Sequence, residues 1–362
     1  MHNRLKSMYS YMEQEALDAV IITFPRHVYY LSGFASEPHE RFMGLILIRQ
    51  EEPLLLVPEL DREAAFQATG WEKIFTHKDT DNPYQLLKKL LSSSTERVGL
   101  EKNYWTVHQY EALADILDAK AYIDISPPLL EMRKLKTRDE LERIQHAVRL
   151  VQQVLQYGVE QVKPGITELD LVAELEYRMK KLGADGPAFD TMVLAGEKSA
   201  LPHGVPGTRA IREGELLLFD LGLYAAGYSS DITRTFAVGD IAPELTAIYE
   251  TVLEANSRAI AAARPGTPIS RLDQTARQYI EEQGYGPYFM HRLGHGLGLD
   301  VHEYPSIHGQ NEDLLKEGMV MTIEPGIYLP GAGGVRIEDD IVITANGVQV
   351  LTTYPKAFTV IA

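Results

Sequence analysis

The C-terminal part of this chain contains itself twice, and that duplication limits what it can fold into more than any other feature. Leu141, Ile144 and Val148 recur 104 positions later as Leu245, Ile248 and Val252, an apolar spacing that marks one helical face in each copy. Thr137-Arg138-Asp139-Glu140 supplies a capping box before the first of these helices, and Pro243 opens the second near its first turn. Lys163-Pro164-Gly165 then matches Arg264-Pro265-Gly266. Thr167-Glu168-Leu169-Asp170 matches Ser270-Arg271-Leu272-Asp273, an N-cap signature for a second helix in each half. Next, Glu213-Gly214, an apolar run and Asp220 align with Glu317-Gly318, an apolar run and Glu324. A turn follows in each half, Ala225-Ala226-Gly227 or Pro330 to Gly334, and then a returning strand with a further acid, Asp231 or Glu338. The expected product is an α+β domain of two similar halves, each presenting one pair of acids.

An acid within an apolar run such as Leu216 to Leu221 is not a solvated surface charge if that run is a buried strand, and an unpaired buried ion costs several kcal/mol or more. Taken singly, such an acid more often pairs with Arg or Lys or lies on a solvent-facing edge. Its recurrence in both copies favours a shared cation instead. Two divalent ions would match the charge of four carboxylates. Cysteine is absent, so any metal must sit on oxygen and imidazole. His295 is a candidate fifth ligand, within Arg292-Leu293-Gly294-His295-Gly296-Leu297-Gly298. The alternating glycines there rule out a good helix, and with it a helical pairing of His291 with His295, and they permit close backbone approach.

Residues 1 to about 125 read differently. Short apolar runs at Ala19 to Thr23, Phe42 to Ile48 and Leu54 to Val57 alternate with helical stretches at Leu86 to Leu91 and Tyr110 to Leu117, the rhythm of a small α/β domain. Pro127 and Pro128 interrupt the pattern, so domains of 1–128 and 129–362 are expected. Acidic residues outnumber basic ones, 51 to 35, which argues against nucleic-acid or anionic-membrane partners. The N-terminus lacks the apolar run of a signal peptide, and no segment approaches the roughly 20 apolar residues of a membrane span. A cytoplasmic location is expected.

Phe289-Met290-His291-Arg292-Leu293-Gly294-His295-Gly296, followed by His302-Glu303 and Pro305, resembles the Xaa-Pro peptidase signature of the pita-bread metallopeptidases. Asp220, Asp231, His295, Glu324 and Glu338 fall in that family's order, and Ser199 to Gly204 is similar to its substrate-side histidine motif. Tyr29-Tyr30-Leu31-Ser32-Gly33-Phe34 extends the likeness to an N-terminal domain of the creatinase and prolidase type. Lys198 and His27 stand where relatives often have Asn.

The resemblance implies a pita-bread catalytic domain with two divalent ions per subunit, Mn²⁺ or Co²⁺ before Zn²⁺ or Fe²⁺. Asp231 and Glu338 would bridge both ions, Asp220 would complete one site, and His295 and Glu324 the other. A metal-bridging hydroxide would be the nucleophile, with Glu324 moving a proton to the leaving nitrogen. His203 and His302 would contact the substrate carbonyl or carboxylate, and His291 would line the pocket. Arg336 would either anchor a substrate carboxylate or brace a ligand. An Xaa-Pro dipeptidase acting on a small peptide as a homodimer is the first expectation. An aminopeptidase P sharing every ligand is the second. Methionine aminopeptidase, a metal-free creatinase-type hydrolase and a noncatalytic binding module follow at a distance.

Overall fold

The computed structural model describes residues 2–91 and 94–361 and divides into two compact units, Met1–Met132 and Arg133–Ala362. The division falls a few residues after Pro127-Pro128. Those prolines lie in the first turn of the helix Ser126–Lys134, where a missing N–H and a fixed φ are tolerated.

The first unit holds a six-stranded sheet in the order Ile74–His77, Leu54–Pro58, Gly44–Ile48, Ala19–Ile22, Arg97–Leu100, Ala121–Asp124. The strands Ala19–Ile22 and Leu54–Pro58 are buried along their whole length. That is why they read as unbroken apolar runs rather than alternating ones.

In the second unit the duplication becomes architecture. Helices α1 (Arg138–Glu160) and α2 (Glu168–Lys181) precede strands β1 (Met192–Ala195), β2 (Glu215–Ala225) and β3 (Tyr228–Val238). Helices α3 (Pro243–Ala262) and α4 (Ser270–Glu282) precede β4 (Gly294–Gly296), β5 (Glu303–Ile307), β6 (Val320–Ile323), β7 (Gly326–Leu329), β8 (Gly333–Arg336), β9 (Asp339–Thr344) and β10 (Gly347–Val350). Each half has its own core. Val151, Leu155, Leu171 and Leu175 pack with Leu217, Phe219 and Leu221 in the first, and Ile248, Val252, Leu272 and Ala276 pack with Met321, Ile323 and Ile341 in the second.

The capping boxes at Thr137 and Thr167 form as the sequence indicates. The matching signature at Ser270 does not. The α4 N-cap position is Ile269, with no side-chain cap. Asp273 instead accepts the N–H of Leu293 at 3.1 Å and pairs with Arg277, which donates to the carbonyls of Phe289 and His291. The carboxylate that would have capped a helix holds the segment leading to His295.

Candidate metal centre and active site

Strand periodicity aims the first pair of acids. In β2, Leu217, Phe219 and Leu221 belong to the first half's core, so Asp220 lies on the other face. In β3, Ile232 and Phe236 face that core, and Asp231, Thr233 and Thr235 face away from it. The β2–β3 hairpin turns at Ala226 and Gly227, both with positive φ, the backbone of a tight two-residue turn that matches the twist of the strands it joins. It is continuous through both acids, with Asp220 opposite Thr233 and Asp231 opposite Gly222.

The second pair departs from the expectation that its acids sit within strands. Glu324 follows the last residue of β6, and Glu338 lies between β8 and β9. Pro325, which has no N–H to give a ladder, separates β6 from β7. Each glutamate turns its N–H sideways, Glu324 to the carbonyl of Leu293 at 2.8 Å and Glu338 to that of Thr233 at 3.1 Å. One hairpin thereby reaches the segment before His295, and it is stitched to the other by Thr233, whose hydroxyl donates to Glu338 Oε2 at 2.6 Å.

His295 occupies the middle of β4. A Cβ on Gly294 would sit 2.1 Å from the carbonyl oxygen of Thr322, and one on Gly296 2.5 Å from that of Tyr304. The alternating glycines are there because neighbouring backbone presses on both sides. Gly294→Ala is expected to destabilise the protein by about 3 kcal/mol or more, measured by urea unfolding; an unchanged midpoint would mean the strand is free to shift. The imidazole Nδ1 faces the carbonyl of Gly296 at 3.2 Å, and Nε2 lies 3.3 Å from Glu324 Oε1 and 3.8 Å from Asp231 Oδ2. A proton on Nδ1 leaves the Nε2 lone pair aimed at the acids, the tautomer a metal ligand requires.

One ligand atom from each of Asp231, His295 and Glu338 lies within 4.8 Å of the others. Asp231 Oδ1 and Glu338 Oε1 are buried with no hydrogen-bond partner. Burial, then Glu338 and Asp220, raises the Asp231 carboxyl well above its ordinary range; burial, then Glu324 and Asp220, does the same to Glu338. Burial moves Glu324 up to about 7, and burial with neighbouring His302 moves His295 down to about 3. Buried, mutually repelling acids with orphaned oxygens beside a neutral imidazole fit a divalent cation and little else.

The pH dependence follows in sign. Carboxyls raised in the fold stabilise it fully below about pH 4, and that contribution fades as pH rises through their folded values, near 7 for Glu324. Metal-free protein should therefore lose on the order of 3 kcal/mol of stability from this group between pH 5 and 8. Since cations take the ionised form, added Mn²⁺ should stabilise the protein increasingly over that range. Urea midpoints with and without chelator test this, and a gap that does not widen with pH would contradict it.

Asp220 stands on the cavity wall, where Arg336 Nη2 donates to its Oδ2. Arg336 is buried, and its remaining nitrogens are occupied too: Nε donates to Thr233 Oγ1 at 3.2 Å and Nη1 to the Tyr328 hydroxyl at 2.9 Å. Tyr328 is in turn 2.9 Å from His291 Nε2. Burial holds His291 down at about 4. His302 is exposed to the cavity, its ring centroid 3.9 Å from that of His295. His203 also lies on the wall. Together these residues line a cavity of about 1040 Å³ whose other walls include Phe189, Met192, Leu201, Met290 and Val301. Every candidate residue of the sequence reading lies on it. Thr233, Asp340, whose Oδ2 accepts the Asp231 N–H at 3.0 Å, and the Asp273–Arg277 pair were not singled out from sequence. Each acts across the two halves or across distant segments, which no local motif records.

A model of metallopeptidase family M24 matches residues 142–345, and one of the creatinase/prolidase N-terminal domain matches residues 4–135. The chain belongs to metallopeptidase family M24. Its two units accordingly have the creatinase-type and pita-bread folds that the resemblance implied. Among solved structures, the prolidase from Pyrococcus furiosus is 40% identical, with a TM-score of 0.87 over 95% of this chain and 99% of the other. An Xaa-Pro dipeptidase from Bacillus anthracis is 31% identical, with a TM-score of 0.93 over 99% of each chain. An X-Pro aminopeptidase from Thermotoga maritima is 34% identical, with a TM-score of 0.87 over 96% and 98%. Among the described residues, no helix is long and apolar enough to cross a membrane.

Proposed function

We propose that this M24 peptidase is an Xaa-Pro dipeptidase, hydrolysing the bond before proline in a dipeptide. The observation that carries the reading is a set of four carboxylates and one imidazole at a largely apolar cavity ringed by three further histidines, in a chain similar along nearly its whole length to a prolidase and an Xaa-Pro dipeptidase. Asp220, Asp231, His295, Glu324 and Glu338 would hold two divalent ions, with Mn²⁺ and Co²⁺ the first to try. Bound there, the ions would supply a nucleophile from water at neutral pH and polarise the scissile carbonyl.

The chain's own residues do the rest in this reading. Glu324 receives a proton and passes it to the leaving nitrogen. His302 and His203 donate to substrate oxygens, and partial desolvation on the cavity wall lowers the His302 pKa, which favours its neutral form. Arg336, with all its side-chain nitrogens engaged, braces Asp220 rather than a substrate carboxylate. His291 steadies that brace through Tyr328. Proline's nitrogen carries no hydrogen, so recognition falls to the ring and its carboxylate. A homodimer in the cytoplasm completes the reading, the dimer to be checked by sedimentation.

The runner-up is an aminopeptidase acting on longer peptides, favoured by the likeness to the T. maritima enzyme and by a cavity at the upper end of the usual range for small-molecule sites. Metal-reconstituted protein offered an Xaa-Pro dipeptide, an Xaa-Pro-Yaa tripeptide and an Xaa-Ala control separates the two. Cleavage of the dipeptide is expected. Preference for the tripeptide would make it an aminopeptidase, and cleavage of Xaa-Ala alone would remove proline from the account.

A further inference from the structure

The hairpin that carries Glu324 and Glu338 is two ladders rather than one. β6 and β9 pair as far as Ile323 opposite Asp339, and β7 and β8 pair from Gly326 opposite Arg336. Backbone at such an interruption needs partners from elsewhere. Asn256, fully buried on α3, provides them. Its Nδ2 donates to the carbonyls of Ile323 at 2.9 Å and Ile337 at 3.3 Å, the residues immediately before the two glutamates. Its Oδ1 accepts from Lys356 Nζ at 2.7 Å, and that ammonium also donates to Asp339 Oδ2 at 2.6 Å. Arg234 holds the other oxygen of Asp339 at 2.7 Å and donates to the carbonyl of Glu338 at 2.5 Å. A single amide therefore ties both sides of the break together, one residue ahead of each acid.

The internal repeat supplies a comparison within the same molecule. The register that pairs Val148 with Val252 places Gln152 against Asn256. In the first half the hairpin runs unbroken through Asp220 and Asp231, and Gln152 serves something else: its Oε1 accepts the N–H groups of Thr353 at 2.6 Å and Tyr354 at 2.5 Å. The helix position is shared by the two halves, but its amide reaches a carboxylate-bearing hairpin only where that hairpin is interrupted.

We infer that Asn256 is a positioning residue for the metal centre, fixing Glu324 and Glu338 relative to one another through the carbonyls that precede them. The inference rests on the reading that these two acids hold divalent ions. Titration of Mn²⁺ into metal-free protein by calorimetry tests it, comparing the wild type with Asn256→Leu, which is nearly isosteric, and with Gln152→Leu. Asn256→Leu should bind Mn²⁺ at least about tenfold more weakly at one site or both. Gln152→Leu should keep the wild-type isotherm, although both variants lose thermal stability. A wild-type isotherm for Asn256→Leu would reduce the residue to a structural part and overturn the inference. A wild type that binds no Mn²⁺ would overturn the reading beneath it. Should Asn256→Leu not fold, the partly exposed Lys356→Met decides: weaker Mn²⁺ binding supports the inference, and an unchanged isotherm overturns it.

Discussion

Asp231→Asn should lower kcat/KM on an Xaa-Pro dipeptide by roughly 10³-fold while leaving the fold intact. The carboxylate is buried in β3, accepts no hydrogen bond at Oδ1, and lies with His295 and Glu338 around one point. An amide keeps the shape and loses the charge, so at least one ion should bind poorly. Water activation and carbonyl polarisation depend on those ions and are together worth several kcal/mol, at about 1.4 kcal/mol per tenfold in rate. The same change removes a buried charge pushed towards protonation by burial and by Glu338. The metal-free variant should thus be more stable than metal-free wild type at pH 8, the opposite of what an ordinary core substitution does. Assays with metal analysis, plus urea unfolding in chelator, check both halves. Full activity at wild-type metal content would remove Asp231 from the site.

His302→Ala should behave differently, with kcat falling about 10²-fold, KM changing less, and metal content unchanged. The ring stands beside His295 and faces the cavity. Its proposed work is to donate to an oxygen that gains negative charge during hydrolysis, and removal of one such donor costs about 10²–10³ in turnover. Steady-state kinetics with metal analysis of the purified variant test this. Loss of metal would move His302 into the coordination sphere.

Asp220, Asp231, Glu324 and Glu338 were legible because the duplication repeats their surroundings. His295 was legible because glycines on both sides reveal backbone pressing on its strand. What stayed hidden depends on contacts between distant segments. The sequence does not reveal that β2–β3 is continuous while its counterpart is split at Glu324-Pro325, because that split is sustained by Leu293, Thr233 and Asn256. Nor could the Ser270 signature be told from a true N-cap, since Asp273 is drawn away by Leu293 and Arg277. The balance between anchor and brace for Arg336 was equally closed to sequence, because it turns on Asp220, Tyr328 and Thr233 meeting around one guanidinium.

The central claim is that two similar hairpins bring their acids together to hold a pair of metal ions. Anomalous diffraction from crystals grown with Mn²⁺ tests it most directly. The account predicts two peaks roughly 3.5–4 Å apart, both touching Asp231 and Glu338, with His295 and Glu324 on one and Asp220 on the other. A single ion that left Asp220 wholly to Arg336, or peaks away from Asp231 and Glu338, would contradict it.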